Sequence, residues 1–271
     1  MLGRRYQLEH ELGRGATGAV FRGRDVESGH LVAVKVVSGA RSASPCGSSL
    51  GPSARLPRAY RLSHPYIAAV LGCGRGSSGY YVVMECAQGH DLRPHVRPGA
   101  LLPLPTVLSI AVRVAAALGH AHRRGLTHGD VSPGNIVFEP ASDAVKLVDF
   151  PLRKAATGFQ GTPAYGSPEQ VCGRTVGPAS DQFSLGVTLY RLACGELPFQ
   201  ASSRPRLAHG IAHERHTDIR DYDASLPAAL AALLDKTLQK DPRDRYDNAA
   251  DLRAALYAVA ALPGCRFARA P

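Results

Sequence analysis

Two short stretches in the second half of the chain decide its interpretation: THGDVSPGNIVF at residues 127–138 and LVDF at residues 147–150. They contain Asp130, Asn135 and Asp149. Metal-assisted phosphoryl transfer needs one carboxylate to position the attacking hydroxyl, and an amide and a second carboxylate to hold magnesium on the phosphates. Each residue alone is compatible with an ordinary loop turn. Together, in this order, they predict a phosphotransfer site with Asp130 and Asn135 as catalytic residues and Asn135 and Asp149 as magnesium ligands.

A glycine-rich stretch, GRGATGAV at residues 13–20, lies near the start of the chain. Dinucleotide-binding folds use the same spacing of Gly13, Gly15 and Gly18, but there the glycines begin a helix. Here a strand-like segment follows, and glycines between two antiparallel strands let backbone N–H groups close over a triphosphate. The alternative interpretation is an ordinary flexible hairpin.

Lys35 ends the apolar run VAVK at residues 32–35. The chain has 27 arginines and only five lysines, so a lysine here indicates a need for a compact point charge. An inward-facing ammonium requires a partner or a phosphate, because burying it bare is costly. We therefore predict Lys35 as a catalytic, phosphate-binding residue, with an exposed edge-strand lysine as the alternative.

The composition excludes several classes of protein. The net charge of +10 is spread along the chain and aromatic residues make up only 6%, so we expect no nucleic-acid partner. The best apolar run, 106–122, is interrupted by Arg113, so we expect no membrane span. The start of the chain lacks the apolar core of a signal peptide, which predicts a cytoplasmic protein. The six cysteines form no Cys-x-x-Cys pair and are expected to be free thiols.

The hydrophobic pattern changes from a strand period to a helix period along the chain, which predicts an α+β protein of two lobes. A Ser/Gly/Pro-rich loop is predicted over residues 38–54. Strands are predicted over residues 6–12, 19–23, 31–37, 67–73 and 80–85. Helices are predicted over residues 106–122, 181–194, 226–239 and 248–261.

Further motifs make the chain resemble a bacterial serine/threonine protein kinase of the eukaryotic-like, or Hanks-type, superfamily. The resemblance runs from about Tyr6 to Leu262. Besides the stretches above, it rests on GTPAYGSPEQ at 161–170, DQFSLGVTLY at 181–190, GELPF at 195–199 and DPRDRY at 241–246.

The resemblance implies a bilobal protein kinase fold, with a small β-rich N-lobe and a larger helical C-lobe. It predicts one kinase domain over residues 1–271, with the N-lobe at about 6–84, the hinge at about 85–90 and the C-lobe at about 91–262. ATP and Mg2+ are the expected cofactors, and the expected partner is a protein substrate with a Ser or Thr acceptor. Because the chain ends soon after its last predicted helix, sensing is expected to come from a separate regulatory partner.

The resemblance also assigns roles to individual residues. By analogy, Asp181 braces the catalytic loop, which is the stretch 127–135 that carries Asp130 and Asn135. Glu169 pairs with Arg245, and the hydroxyl of Thr162 supports the same loop. Met84 would be the gatekeeper beside the adenine, and Asp91 would contact the ribose. The nucleotide-binding residues implied in this way are Leu12, Gly13, Gly15, Gly18, Val20, Ala33, Lys35, Met84, Glu85, Ala87 and Asp91.

The chain departs from the family pattern near Lys35. The family pairs this lysine with a helix glutamate, but the matching position here is Arg55, and residues 28–84 contain neither Asp nor Glu. Pro151 follows the Asp-Phe pair of the metal motif, where glycine is expected. Gly129 stands where many relatives have an arginine that meets a phosphorylated loop, so control through phosphate on Thr157 or Thr162 by that route is not expected.

Three functions remain open from the sequence. The first is an active serine/threonine protein kinase, and the second is a pseudokinase that binds nucleotide or acts as a scaffold. The third is a kinase-like phosphotransferase for a small alcohol, which the His-Gly-Asp order at 128–130 suits. The 161–170 segment and Asp181 favour a protein kinase over this third class.

Overall fold

The computed structural model describes residues 1–15, 18–38, 62–76, 79–150 and 162–265. The chain divides into two compact units, Met1–Gln88 and Gly89–Pro271. Most of the predicted 38–54 loop, together with Arg55, Pro151 and Thr157, lies outside the described residues.

The first unit is built on a five-stranded antiparallel sheet with the strand order β1-β2-β3-β5-β4. Its strands are β1 (Tyr6–Gly15), β2 (Gly18–Asp25), β3 (Leu31–Ser38), β4 (Val70–Gly76) and β5 (Gly79–Glu85). All five predicted strands are present, and most of them extend beyond the predicted bounds.

The core of this unit is formed by alternate residues of the central strands β3 and β5. Val32 and Val34 of β3 and Tyr81 and Val83 of β5 are buried together on one face of the sheet. Since successive side chains of a strand point to opposite faces, Lys35 projects from the other face.

The second unit is mainly helical. Its helices are α1 (Leu104–His122), α2 (Pro168–Val171), α3 (Pro178–Cys194), α4 (Arg204–His213), α5 (Ala228–Thr237) and α6 (Ala249–Ala260). A small sheet in the order β6-β7-β8 is formed by β6 (His90–Asp91), β7 (Ile136–Glu139) and β8 (Ala144–Leu147).

Helix α1 is the centre of the second unit and packs against α3 and α6. The apolar stripe predicted from the sequence is buried, at Val107, Ile110, Val114 and Leu118. Within the described ranges, α1 is the one helix long and apolar enough to cross a membrane, but 72% of the apolar segment is buried inside the fold, as in a core helix. Arg113 interrupts the stripe and donates to main-chain and side-chain oxygens of Asp143.

Two expectations differ from the structure. Helix α4 was not predicted, because it buries only Gly210 and Ile211 and so lacks an apolar stripe. The expectation of free thiols is wrong at Cys73, which is disulfide-bonded. Among the described residues, free thiols are found at Cys86, Cys172, Cys194 and Cys265.

Candidate active site

The Asp130 carboxylate is the centre of the candidate site in the second unit. Its Oδ2 accepts a hydrogen bond from Asn135 Nδ2 at 3.0 Å, and the same nitrogen donates to the main-chain oxygen of Asp130 at 2.7 Å. A short 3-10 helix, Pro133–Asn135, turns the chain back so that Asn135 reaches the residue five positions earlier. The Asn135 side chain therefore fixes the orientation of the Asp130 carboxyl group.

The remaining oxygen of this carboxylate meets the segment that precedes α2. The main-chain nitrogen of Thr162 donates to Asp130 Oδ1 at 3.0 Å. The resemblance predicted a supporting role for the Thr162 hydroxyl, whereas the bond described here comes from the Thr162 amide.

Burial raises the pKa of Asp130 above its ordinary value, and the negative charge of Asp149 raises it further. The hydrogen bonds from Thr162 and Asn135 favour the charged form and only partly offset this rise. A carboxylate with a raised pKa is a better proton acceptor than an ordinary aspartate, which suits a residue that receives a hydroxyl proton.

His128 links the catalytic loop to the strand that leads to Asp149. Its Nε2 lies 2.9 Å from the Val148 carbonyl, and its Nδ1 lies 3.2 Å from the Asp130 main-chain nitrogen. Because a carbonyl can only accept and an amide N–H can only donate, Nε2 faces the Val148 carbonyl as a donor and Nδ1 faces the Asp130 amide as an acceptor. The Phe150 ring packs edge-on against this imidazole, with ring centroids 4.7 Å apart.

Asp181 of α3 braces the catalytic loop, as the resemblance implied. Its carboxylate is fully buried and accepts from the main-chain nitrogens of His128 at 2.8 Å and Gly129 at 2.7 Å. His122 Nε2 lies 2.7 Å from the same carboxylate, at the end of α1. Asp181 of α3 thus connects the end of α1 to His128 and Gly129, the two residues that precede Asp130.

Asp149 is brought next to Asn135 by the main chain. The Val148 nitrogen donates to the Asn135 carbonyl at 2.9 Å, and Asp149 then adopts a left-handed backbone with φ +65°. This conformation is uncommon for aspartate and is found at functional sites, where surrounding contacts hold it. The second unit therefore brings together Asp130, Asn135 and Asp149, the three residues predicted from the sequence.

The end of the 161–170 segment is anchored by a buried ion pair. Glu169 accepts from Arg245 Nη1 at 2.9 Å and Nη2 at 3.0 Å, which confirms the pairing predicted from the resemblance. Arg245 also donates to three main-chain carbonyls, and Ser180 donates to Glu169 at 2.7 Å. Burial alone would raise the pKa of Glu169, but the bonds from Arg245 and Ser180 outweigh it and hold the pKa below its ordinary value.

The residues predicted to contact the phosphates and the adenine of ATP lie on the sheet of the first unit. In register, Val20 pairs with Lys35 and Lys35 with Val82, while Ala33 pairs with Met84. Paired residues share a face, so these side chains lie on the face opposite the valine core.

The glycine-rich stretch forms the ends of β1 and β2. Gly13 pairs with Val20 and Gly15 with Gly18, and Leu12 is 48% exposed beside a register shift in β1. Gly18 has φ +144°, and a Cβ there would lie 2.0 Å from the Val36 carbonyl, so only glycine fits.

The segment after β5 carries the remaining predicted residues. Ala87 is half-buried, and Glu85 bonds back to Ala69 through both its main-chain nitrogen and its carboxylate. In the second unit, Asp91 accepts three hydrogen bonds from Arg93: from the main-chain nitrogen at 3.0 Å, Nε at 2.8 Å and Nη2 at 2.7 Å. Burial would raise the pKa of Asp91, but these bonds lower it overall.

Sequence reasoning missed two contacts of the catalytic loop. The Gln170 side chain donates to the Gly129 carbonyl at 2.7 Å, and His122 contacts Asp181. Both are bonds between residues far apart in the sequence, and a histidine or glutamine at a helix end gives no local signal of such a partner.

Comparison with known proteins agrees with this geometry. A protein kinase domain model matches residues 6–257, and the chain belongs to the protein kinase domain family. The protein is 33% identical to serine/threonine-protein kinase PknB of Mycobacterium leprae, over 94% of this chain and 43% of that protein. It is 32% identical to serine/threonine-protein kinase PksC of Streptomyces coelicolor, over 96% of this chain and 50% of that protein.

Solved structures confirm the predicted protein kinase fold. The kinase domain of Mycobacterium tuberculosis PknI matches with a TM-score of 0.72 and 28% identity, over 94% of this chain and 96% of that one. Rad53 1–466 in complex with AMP-PNP matches with a TM-score of 0.78 and 26% identity, over 96% of this chain and 65% of that one. The chain spans half or less of the length of the curated relatives named above.

Proposed function

We propose that this chain is an ATP-dependent serine/threonine protein kinase that transfers the γ-phosphoryl group of ATP to protein hydroxyls. The observation that carries the proposal is the Asp130 carboxylate, oriented by Asn135 and set on a loop that Asp181 braces. A kinase needs this arrangement because phosphoryl transfer depends mainly on positioning and charge stabilisation. The kinase family membership and the similarity to named serine/threonine kinases support the same function.

In the proposed reaction, Asp130 positions the acceptor hydroxyl and accepts its proton. The hydroxyl oxygen forms a bond to the γ-phosphorus while the bond from that phosphorus to the bridging β-phosphate oxygen breaks, and ADP leaves. The raised pKa of Asp130 favours its role as the proton acceptor.

Asn135 and Asp149 are the proposed magnesium ligands. The Asn135 nitrogen donates twice to Asp130, which directs its Oδ1 away from that carboxylate and makes it available as an oxygen ligand. Amide and carboxylate oxygens are the ligands that magnesium prefers, and phosphates and waters normally complete its shell. When bound, magnesium neutralises charge on the phosphates. Within the described ranges, no group of three or more His, Cys, Asp or Glu side chains is placed to hold a metal ion.

Residues of the first unit are proposed to hold the nucleotide. Lys35 would contact the phosphates, and main-chain groups at Gly13, Gly15 and Gly18 would approach them closely because no Cβ intervenes. The proposed adenine contacts are made by Leu12, Val20, Ala33, Met84, Glu85 and Ala87.

Asp91 is the proposed ribose contact. Two carboxylate oxygens offer about four acceptor positions, and Arg93 uses three of them. One acceptor position on Oδ2 therefore remains for a ribose hydroxyl.

Transfer from radiolabelled ATP tests this function. The protein, with Mg2+, is offered a panel of protein substrates and then a panel of amino alcohols. We expect label in protein, on serine or threonine. Label in the amino alcohols alone would instead support a small-molecule phosphotransferase, and nucleotide binding without transfer to any acceptor would identify a pseudokinase. We expect the activity in the cytoplasm, where ATP is abundant.

A further inference from the structure

Gln170 makes a buried hydrogen bond to the residue that precedes Asp130. Its Nε2 donates to the Gly129 carbonyl at 2.7 Å, and the glutamine is only 6% exposed. A buried bond of this length between an amide and a carbonyl is costly to break, because the carbonyl is then left without a partner. The bond crosses from α2 to the catalytic loop.

The chemistry of the surrounding groups fixes which end of the Gln170 amide faces the loop. Oε1 accepts from the Ser167 main-chain nitrogen at 2.9 Å and from the Ser167 hydroxyl at 3.1 Å. An amide N–H can only donate, so the atom that faces it is the oxygen of Gln170. The nitrogen is therefore the atom that faces Gly129.

Gly129 depends on such bonds for its position. Its backbone is left-handed, with φ +75°, and a Cβ added there would meet no described atom within 4 Å. With no side chain to pack, its two peptide groups are set by hydrogen bonds: the nitrogen donates to Asp181 at 2.7 Å and the carbonyl accepts from Gln170. Gly129 is thus held from α3 on one side and from α2 on the other.

The turn that carries Gln170 is itself well anchored. Ser167 is fully buried and caps α2, and the neighbouring Glu169 forms the buried pair with Arg245. A side chain projecting from such a turn has little freedom, so it holds what it contacts in one place.

We propose that Gln170 is a positioning residue for phosphoryl transfer. By holding the Gly129 carbonyl it fixes the main chain from which the Asp130 carboxylate projects. This proposal rests on the proposed kinase function and adds to it a residue that contacts neither nucleotide nor acceptor. It predicts an effect on the rate of the chemical step and not on the binding of ATP.

Gln170→Glu separates this role from a purely structural one. Glutamate and glutamine both complete a capping box at this helix position, since either offers an oxygen to the Ser167 nitrogen. A carboxylate cannot donate to the Gly129 carbonyl. A residue that serves only as a cap would tolerate this change, whereas a positioning residue would not.

The experiment measures kcat and KM for ATP, together with thermal unfolding. For Gln170→Glu we expect kcat to fall about 10-fold, the loss of one buried hydrogen bond, with KM for ATP unchanged within about 2-fold. Gln239→Glu is the matched control: this exposed glutamine also donates to a main-chain carbonyl, that of Asp235 at 2.9 Å, and kcat should not change. A kcat for Gln170→Glu within about 2-fold of wild type would overturn the proposal.

A second variant pair applies if Gln170→Glu does not fold. Gln170→Met has a similar length and no charge, and Ser167→Ala removes the cap hydroxyl while leaving the bond to Gly129 in place. We expect the kcat of Gln170→Met to be well below the kcat of Ser167→Ala. Equal values for the two would show that Gln170 acts through the cap alone.

Amide hydrogen exchange keeps the failure of this proposal distinct from failure of the proposed function. If wild type transfers no more phosphate than Asp130→Asn, the kinase function has failed, and exchange at Gly129 and Asp130 then tests Gln170 by itself. We expect these amides to exchange faster in Gln170→Glu than in wild type or Gln239→Glu. Unchanged exchange would overturn the positioning role whatever the activity.

Discussion

The catalytic loop and the strand that carries Lys35 are held in place in different ways. In the loop, Gly129 and Asp130 are bound by side chains or amides from distant parts of the sequence, among them Asp181, Gln170 and Thr162. In the first unit, strand register places Lys35 between Val20 and Val82. The sequence departs from the family beside Lys35, where residues 28–84 contain no carboxylate.

This difference indicates where change is tolerated. A buried bond between distant residues fails when either partner changes, because the other is left unsatisfied. Strand register depends on the backbone ladder and on the pattern of apolar residues, so it tolerates many substitutions. We therefore expect a substitution that removes one of these buried bonds to cost more than a substitution that leaves the strand register of β3 intact.

The largest expected effect is on the free energy of unfolding, at the buried ion pair between Glu169 and Arg245. Arg245→Met should lower the free energy of unfolding by about 3–5 kcal/mol, because it leaves the buried Glu169 carboxylate without its partner. Arg243→Met is the matched control: Arg243 also pairs with an aspartate, Asp241, but it is 89% exposed and should cost under about 1 kcal/mol. Urea unfolding measures both, and similar losses for the two would contradict a special role for the buried pair.

The next effect tests Lys35. Lys35→Met should reduce phosphoryl transfer by about 100-fold or more, or ~2.8 kcal/mol of barrier, since methionine fits the strand but carries no charge for the phosphates. Lys236→Met, at an exposed helix position, should transfer at the wild-type rate. Wild-type activity in Lys35→Met would show that Lys35 has no role in phosphoryl transfer.

Nucleotide binding gives a smaller, thermodynamic effect. At 100 times its dissociation constant, Mg-ATP should stabilise the wild-type protein by about 2.7 kcal/mol. In Asp149→Asn one charged magnesium ligand is lost, so most of this shift should disappear. A melting experiment with and without Mg-ATP measures it, and a full shift in Asp149→Asn would remove Asp149 from the proposed site.

The smallest effect is expected at Arg55, which lies outside the described residues. If the missing helix glutamate costs only the orientation of Lys35, restoring a carboxylate by Arg55→Glu should leave the rate equal or raise it, by at most about 10- to 100-fold. Initial rates at saturating ATP measure it. A clear loss of rate in Arg55→Glu would show that the arginine itself contributes, for example by contacting phosphate oxygens.

Much of the fold was predictable because its signals are local. The stripe Val107, Ile110, Val114 and Leu118 identified α1, and alternation identified β3 and β5. Helix α4 has no apolar stripe. Because it buries only Gly210 and Ile211, its sequence shows no helical period of hydrophobic residues. The bounds of α3 were set by Pro178 at its first position and the left-handed Gly195 after its end, signals that the apolar period alone does not contain.

The residues of the candidate site could be predicted from the sequence, but the hydrogen bonds that hold them in place could not. Asp130, Asn135 and Asp149 follow a spacing that the chemistry requires, so the sequence reveals them. The bond from Gln170 to Gly129 joins residues 41 positions apart and involves a main-chain carbonyl, which every residue possesses. The disulfide at Cys73 was likewise beyond prediction, because pairing depends on distances in the fold.

The central claim is that Asp130 makes this chain an active protein kinase, and a comparison of wild type with Asp130→Asn tests it most directly. Both proteins are incubated with radiolabelled ATP, Mg2+ and protein substrate, and melting with Mg-ATP confirms that both bind nucleotide. We predict that wild type labels the substrate and that Asp130→Asn is slower by about 100- to 10,000-fold, the range expected for loss of a general base. Equal incorporation by the two proteins would contradict the account and identify the chain as a pseudokinase.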